Sequence, residues 1–98
     1  MATVYVVNDS GHDVQKAERF GDPVSLTTGK VNVFATDRLT QELSVKLKDF
    51  HTATDYVLLS GTIILNVIVM RILMRQSVFA IRVLIYNFSA ETYTVRDI

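Results

Sequence analysis

Residues 62–76, TIILNVIVMRILMRQ, restrict the fold more than any other segment, because they are apolar on nearly every side. A run of this length without a turn signal predicts a helix rather than a strand. Arg71 and Arg75 complement the negative end of the dipole of such a helix. A helix without a long polar stripe cannot face water, so we expect the sheet to cover one side and another structure to cover the other.

This segment does not predict a membrane span. The uncharged stretch 57–70 is shorter than the ~18–20 residues that a bilayer-spanning helix needs, and Ser60, Gly61 and Asn66 interrupt it. We therefore predict a buried core helix and no membrane partner.

The rest of the chain alternates strand-like and helix-like segments. Strands are predicted at 3–8, 24–27, 56–61, 78–86 and 92–95, and helices at 37–50 and 62–76. Thr36 has the position of an N-cap for the first helix. Strands that alternate with helices favour right-handed crossovers and a mainly parallel sheet. We predict a single α/β domain over residues 1–98, with two or three layers, strand order 2-1-3-4-5 and the last strand antiparallel in a hairpin.

Composition narrows the partners and the compartment. Ten basic and ten acidic residues cancel, so the chain lacks the positive field of a typical phosphate-backbone binder, and we expect no nucleic-acid partner. A hydrophobic content of 49% with zero net charge favours self-association. The absence of cysteine and of a signal peptide predicts a reducing, cytoplasmic location.

Two polar turns are the candidate ligand site. In an open parallel sheet, ligands bind beyond the carboxyl ends of the strands where the strand order reverses, which here lies between the first and third strands. The turns after those strands predict a pocket for a small anionic ligand, lined by Asn8, Asp9, Ser10, His12, Asp13, Ser60, Gly61 and Thr62. Backbone N–H groups at the start of the second helix would face the anion.

Each part of this pocket also has a purely structural interpretation. The first turn has ordinary turn chemistry, and Ser60 can serve simply as the cap of the second helix.

His12 beside Asp13 is a candidate general base with its orienting carboxylate, and with Asp9 the pair forms a weak set of metal ligands. Phosphate-loop, dinucleotide-binding and nucleophile-elbow motifs do not occur. We expect no metal and no cofactor.

Four motifs resemble small uncharacterised proteins encoded by bacteriophages. They are V-V-N-D-S-G-H-D at 6–13, A-E-R-F-G at 17–21, L-T-x-G-K-V-N-x-F at 26–34 and D-Y-V-L-L-S-G at 55–61. The resemblance implies a phage protein in the host cytoplasm, without an assigned reaction, in which both polar turns are family features. The second helix departs from the expected pattern, because it is more apolar.

The leading functional interpretation is a non-catalytic binding protein that forms a homo-oligomer through the helix between Ile63 and Met74. Its further partner would be a host or phage protein, or the anionic ligand. A nucleotide-processing or phosphoester-processing enzyme that uses Asp9, His12 and Asp13 is one alternative. A structural component of the virion or of its assembly is another.

Overall fold

The sheet has the predicted strand order. The computed structural model describes residues 2–9 and 14–98. Within these residues the sheet has five strands in the order β2-β1-β3-β4-β5. The strands are β1 (Thr3–Val6), β2 (Asp22–Ser25), β3 (Tyr56–Leu58), β4 (Arg82–Asn87) and β5 (Thr92–Asp97). The helices are α1 (Thr36–Leu47) and α2 (Ile63–Gln76), and a short 3-10 helix spans Val14–Ala17.

Strand directions also agree with the prediction. β1 pairs in parallel with both β2 and β3, and β3 pairs in parallel with β4. β5 returns antiparallel to β4 in a hairpin. The α/β fold class, the strand order and the antiparallel last strand are therefore confirmed. The central strands β1 and β3 carry apolar residues that are buried on both faces, which is typical of parallel sheets: Val4, Val6, Val57 and Leu58.

Both long helices pack on one face of the sheet. Leu43 of α1 and Leu65, Val69 and Leu73 of α2 are buried in one cluster with Val57 of β3. The opposite face has a smaller cluster, over which the 3-10 helix places Ala17. The fold is thus a two-layer sandwich of helices on a sheet, with a short segment over the second face.

Several predicted boundaries are wrong. β2 begins and ends two residues earlier than predicted, and β3 ends at Leu58. β4 begins only at Arg82, and Val78 and Phe79, which were predicted to open it, are 94% and 72% exposed. The first helix ends at Leu47, and Thr36 is its first helical residue rather than its cap.

Both outer edges of the sheet are obstructed. The N–H groups of Asp22 and Leu26 donate inward to the carbonyls of Ala2 and Val6. Because successive residues of a strand direct their N–H groups to opposite sides, the backbone of position 23 faces the open edge, and proline has no N–H group there. At the other edge, Arg19 donates to the carbonyl of Tyr93 at 3.3 Å. Arg96 likewise donates to the carbonyl of Val95 at 2.7 Å.

Candidate functional site

The two predicted polar turns meet at one end of the sheet. Asn8 and Asp9 follow β1, and Ser60, Gly61 and Thr62 follow the adjacent strand β3. The convergence expected from the strand order is therefore present. Three other candidate ligand residues lie outside the described residues: Ser10, His12 and Asp13.

Asn8 and Ser60 form the contact between the turns. The Asn8 N–H donates to Ser60 Oγ at 3.0 Å, and Ser60 Oγ donates to the Asn8 carbonyl at 2.8 Å. The Asn8 amide donates to Thr27 Oγ1 and to the Gly29 carbonyl. Asn8 is 3% exposed and holds three segments together through its main-chain N–H and carbonyl and its side-chain NH2 group.

Gly61 allows the turns to approach this closely. Its φ of +77° lies in the left-handed region, which glycine adopts without steric cost. A Cβ at this position would lie 2.6 Å from the Asn8 Cβ. The second turn therefore needs glycine for both its backbone conformation and its packing.

Asn66 orders the same turn from inside α2. Its Oδ1 accepts from the Ser60 N–H at 3.1 Å, and its Nδ2 donates to the carbonyls of Ser60 and Thr62 at 3.0 and 2.7 Å. The N-cap residue is Thr62, so the interpretation of Ser60 as the cap is wrong. The sequence shows Asn66 only as a polar interruption of an apolar stretch, and this turn supplies the hydrogen-bond partners of its amide.

Asp9 lies at the rim of the turns and is half-buried. Its N–H donates to the Thr27 carbonyl at 2.9 Å, and its Oδ2 accepts from Ser25 Oγ at 3.2 Å. Among residues 2–9 and 14–98, no group of three or more acidic or histidine side chains is placed to hold a metal ion. The anionic-ligand pocket stays a prediction, and its described members are Asn8, Asp9, Ser60, Gly61 and Thr62.

A second candidate site is the outward side of α2, which sequence reasoning identified only as a segment. Ile63, Val67, Met70 and Met74 lie there, and we call these four residues the outer stripe; Met70 is half-buried and also packs against the core. Ile63, Val67 and Met74 are 82%, 54% and 51% exposed. The inward side of the helix is buried at Leu65, Ile68, Val69, Ile72 and Leu73. α2 therefore has two apolar sides, of which the sheet and α1 cover one.

The outer stripe lines the first of two grooves along α2. One groove of about 750 Å³ lies between α2 and the end of β3, where Leu59 and Met70 line it. The other, of about 820 Å³, lies between α2 and the polar face of α1, with Thr40 and Gln41 along that face. Arg71 and Arg75 are exposed and line both grooves. α2 itself carries no acidic residue.

Comparison with protein-family models gives a match over nearly the whole chain. The family model described as phage Pam3 gp32-like protein matches residues 2–98. The chain belongs to the phage Pam3 gp32-like family. Comparisons with curated proteins and with solved structures gave no match. The expected relationship to phage-encoded small proteins is thereby confirmed at the level of the family.

Membership in the phage Pam3 gp32-like family assigns no reaction or ligand to the two turns. The family description also leaves the outer stripe without an assigned partner. No helix in the described part of the chain is long and apolar enough to cross a membrane.

Proposed function

We propose that this phage Pam3 gp32-like protein is a non-catalytic interaction protein that self-associates through the outer stripe of α2. The observation that carries the proposal is the exposure of Ile63, Val67 and Met74 along one side of a helix whose other side is already buried. Side chains of this kind are stabilised by removal from water, at roughly 25 cal/mol per Å² of apolar surface.

The sheet edges favour association through a helix over association through a strand. Pro23 lacks the N–H that an added strand would need at the β2 edge. Arg19 and Arg96 occupy carbonyls of β5 with their guanidinium groups. The outer stripe carries no comparable obstruction, since it contains no charged side chain.

The contacts of Ser60 argue against a catalytic role for its hydroxyl. Ser60 Oγ donates its proton to the Asn8 carbonyl and accepts from the Asn8 N–H. A nucleophilic serine instead hydrogen-bonds to a general base. This bonding supports a structural role for Ser60 within the interaction protein.

A Val67→Glu variant tests the proposal, with Val45→Glu as its matched control. Val67 is 54% exposed on α2, and Val45 is 65% exposed on α1, outside both grooves. Light scattering at micromolar concentrations should give a dimer for the wild type and for Val45→Glu, and a folded monomer for Val67→Glu by circular dichroism. A monomeric wild type, or a dimeric Val67→Glu variant, overturns the proposal.

We propose the turns as a secondary site for a small phosphate-bearing ligand. Among the described residues, the Thr62 side chain makes no cap hydrogen bond, so N–H groups in the first turn of α2 remain open to an anion. Asp9 follows Asn8 and contacts Ser25 and Thr27 on the β2 side, and its carboxylate would contact a cation that accompanies a nucleotide.

Thermal shift with magnesium nucleotides tests this secondary site. We expect stabilisation of the wild type and of Asp49→Ala, an acidic control in the loop after α1, and its loss in Asp9→Ala and His12→Ala. Equal shifts in all four proteins, or none, would remove the ligand from the proposal.

A further inference from the structure

The spacing of the outer stripe restricts what can cover it. Its four residues follow one another at intervals of four, three and four positions. This is the apolar spacing with which one helix packs along another helix at a small crossing angle. The order of intervals reads the same from either end, so two copies match each other when they run in opposite directions.

We infer that the outer stripe binds the α2 helix of a second copy, antiparallel, across a two-fold axis between Val67 and Met70. This inference rests on the proposed self-association. Ile63 then faces the partner's Met74, and Val67 faces the partner's Met70. Each subunit contributes the same surface, as a closed two-fold dimer requires.

The charges on α2 favour the antiparallel over the parallel arrangement. A parallel pair would place each arginine beside its own copy and align the two helix dipoles. In the antiparallel register, a rise of ~1.5 Å per residue separates the two Arg75 Cα atoms by ~20 Å along the axis. The Arg75 separation exceeds the screening length of ~8 Å at physiological ionic strength, whereas the two Arg71 Cα atoms are offset by ~7.5 Å along the axis instead of lying side by side, and the dipoles oppose each other.

Apolar residues beyond the helix extend the same contact. Val78 and Phe79 follow α2 and are mostly exposed. In the antiparallel register this segment lies next to the end of β3 in the partner, where Leu59 lines the apolar groove. A stable dimer buries about 800 Å² per subunit, roughly an eighth of the 6125 Å² surface of the chain. The stripe and its extension together run from Ile63 to Phe79, the whole of α2 and the segment that follows it.

Engineered disulfides test the register, because the chain contains no cysteine and each introduced thiol is unique. Ile63→Cys and Met74→Cys are made as separate variants, mixed in denaturant, refolded together and oxidised. The antiparallel register predicts cross-linked heterodimers in the mixture and little cross-linking of either variant alone. Its two copies of residue 63 lie ~16 Å apart along the axis, beyond the ~7 Å Cα limit for a disulfide.

The outcomes separate this inference from the proposed function. Cross-linking of Ile63→Cys with itself, in a protein that is dimeric by light scattering, overturns the antiparallel register and retains self-association. A dimer in which neither the single variants nor their mixture cross-link also overturns the register. A monomer before oxidation overturns both. A Val45→Cys variant controls for random collision and should remain uncross-linked.

Discussion

The main chain of Asn8 and the side chain of Ser60 bind each other reciprocally, at 3.0 Å for the N–H and 2.8 Å for the carbonyl. The two residues follow neighbouring parallel strands and are 52 positions apart. One hydroxyl group thus satisfies both backbone groups of a residue that is 3% exposed. The convergence of the two turns is therefore part of the folded core and does not depend on a ligand.

Ser60→Ala should destabilise the protein by about 1–3 kcal/mol, because it leaves a buried N–H and a buried carbonyl of Asn8 without a partner. Ser89→Ala is the matched control, since Ser89 is exposed in the β4–β5 turn. This control should change stability by less than about 0.5 kcal/mol. Urea unfolding at one fixed protein concentration measures both. Equal stabilities for the two variants would contradict the role given to Ser60.

Gly61→Ala should cost more stability than Gly29→Ala, although both glycines have positive φ. The φ values are +77° and +61°, so both substitutions place alanine in the left-handed region. That conformation costs roughly 1–2 kcal/mol for a residue with a Cβ. Only at position 61 would the new Cβ also lie 2.6 Å from Asn8; at position 29 it would meet nothing within 4 Å among the described residues.

Thermal or urea unfolding of the two glycine variants measures this difference. If Gly61→Ala loses no more stability than Gly29→Ala, Asn8 moves away from the new Cβ without a measurable cost in folding free energy. The close approach of the turns would then be incidental.

Asn66→Asp should destabilise the start of α2 by about 1–3 kcal/mol at neutral pH, because a carboxylate would replace the amide that donates to two carbonyls. Protonation restores a donor, so we expect the folded state to raise the pKa of the introduced carboxyl above its ordinary value of ~3.9. The stability relative to the wild type is then best in acid and is lost as the pH rises through that folded-state pKa.

Asn32→Asp is the matched control for this substitution. The Asn32 side-chain oxygen accepts from the Phe34 N–H at 3.1 Å, and a carboxylate can accept the same bond. The free energies of unfolding of the two variants, measured from acid to neutral pH, should differ by more as the pH rises. Parallel pH profiles would contradict the donor role of Asn66.

The sequence predicts the convergence of the turns, because strand order and chain direction alone bring the ends of β1 and β3 together. It does not predict the partners of the Asn8 side chain, since Thr27 and Gly29 reach it from a loop whose path depends on tertiary packing. Ser60 was a candidate cap from its position before α2. Asn66 bonds to the main chain of that turn instead, so local propensity gave the wrong role.

The α2 boundaries were predicted within one residue, because a long apolar run with terminal arginines has few alternatives. The start of β4 was predicted four residues too early. Val78 and Phe79 have strand propensity, yet they are exposed and lie outside the sheet. Propensity reports what a residue type favours on a half-buried surface, and it carries no information on where the sheet begins.

Tyr5→Phe should reduce the loss of stability at alkaline pH. Burial raises the pKa of the Tyr5 phenol, and the carboxylates of Asp55 and Asp49 raise it further. The folded-state pKa lies above the unfolded value of ~10. The contribution of the protonated Tyr5 phenol to folding stability is therefore complete below pH ~10 and is lost as the pH rises through the folded-state pKa. Phenylalanine keeps the ring contact with Phe50, whose centroid lies 5.5 Å away.

Urea unfolding of the wild type and of Tyr5→Phe across this alkaline range measures the effect. The wild type should lose stability more steeply with pH than the variant. Identical alkaline slopes would show that Tyr5 does not contribute to the pH dependence.

Oxidation of methionine should weaken the proposed dimer, because Met70 and Met74 lie in the outer stripe. Peroxide converts each thioether to a polar sulfoxide, which loses favourable burial against a second helix. A penalty of about 1.4 kcal/mol or more raises the dissociation constant at least about tenfold.

A Met70→Leu, Met74→Leu variant isolates this effect, since leucine has a similar volume and does not oxidise. Among the chain's three methionines the variant retains only Met1, so oxidation at that position affects both proteins alike. Sedimentation before and after peroxide treatment should show dissociation of the wild type and little change in the variant. Equal dissociation of both, or of neither with sulfoxide confirmed at both positions by mass spectrometry, would mean that the two methionine side chains are not buried between subunits.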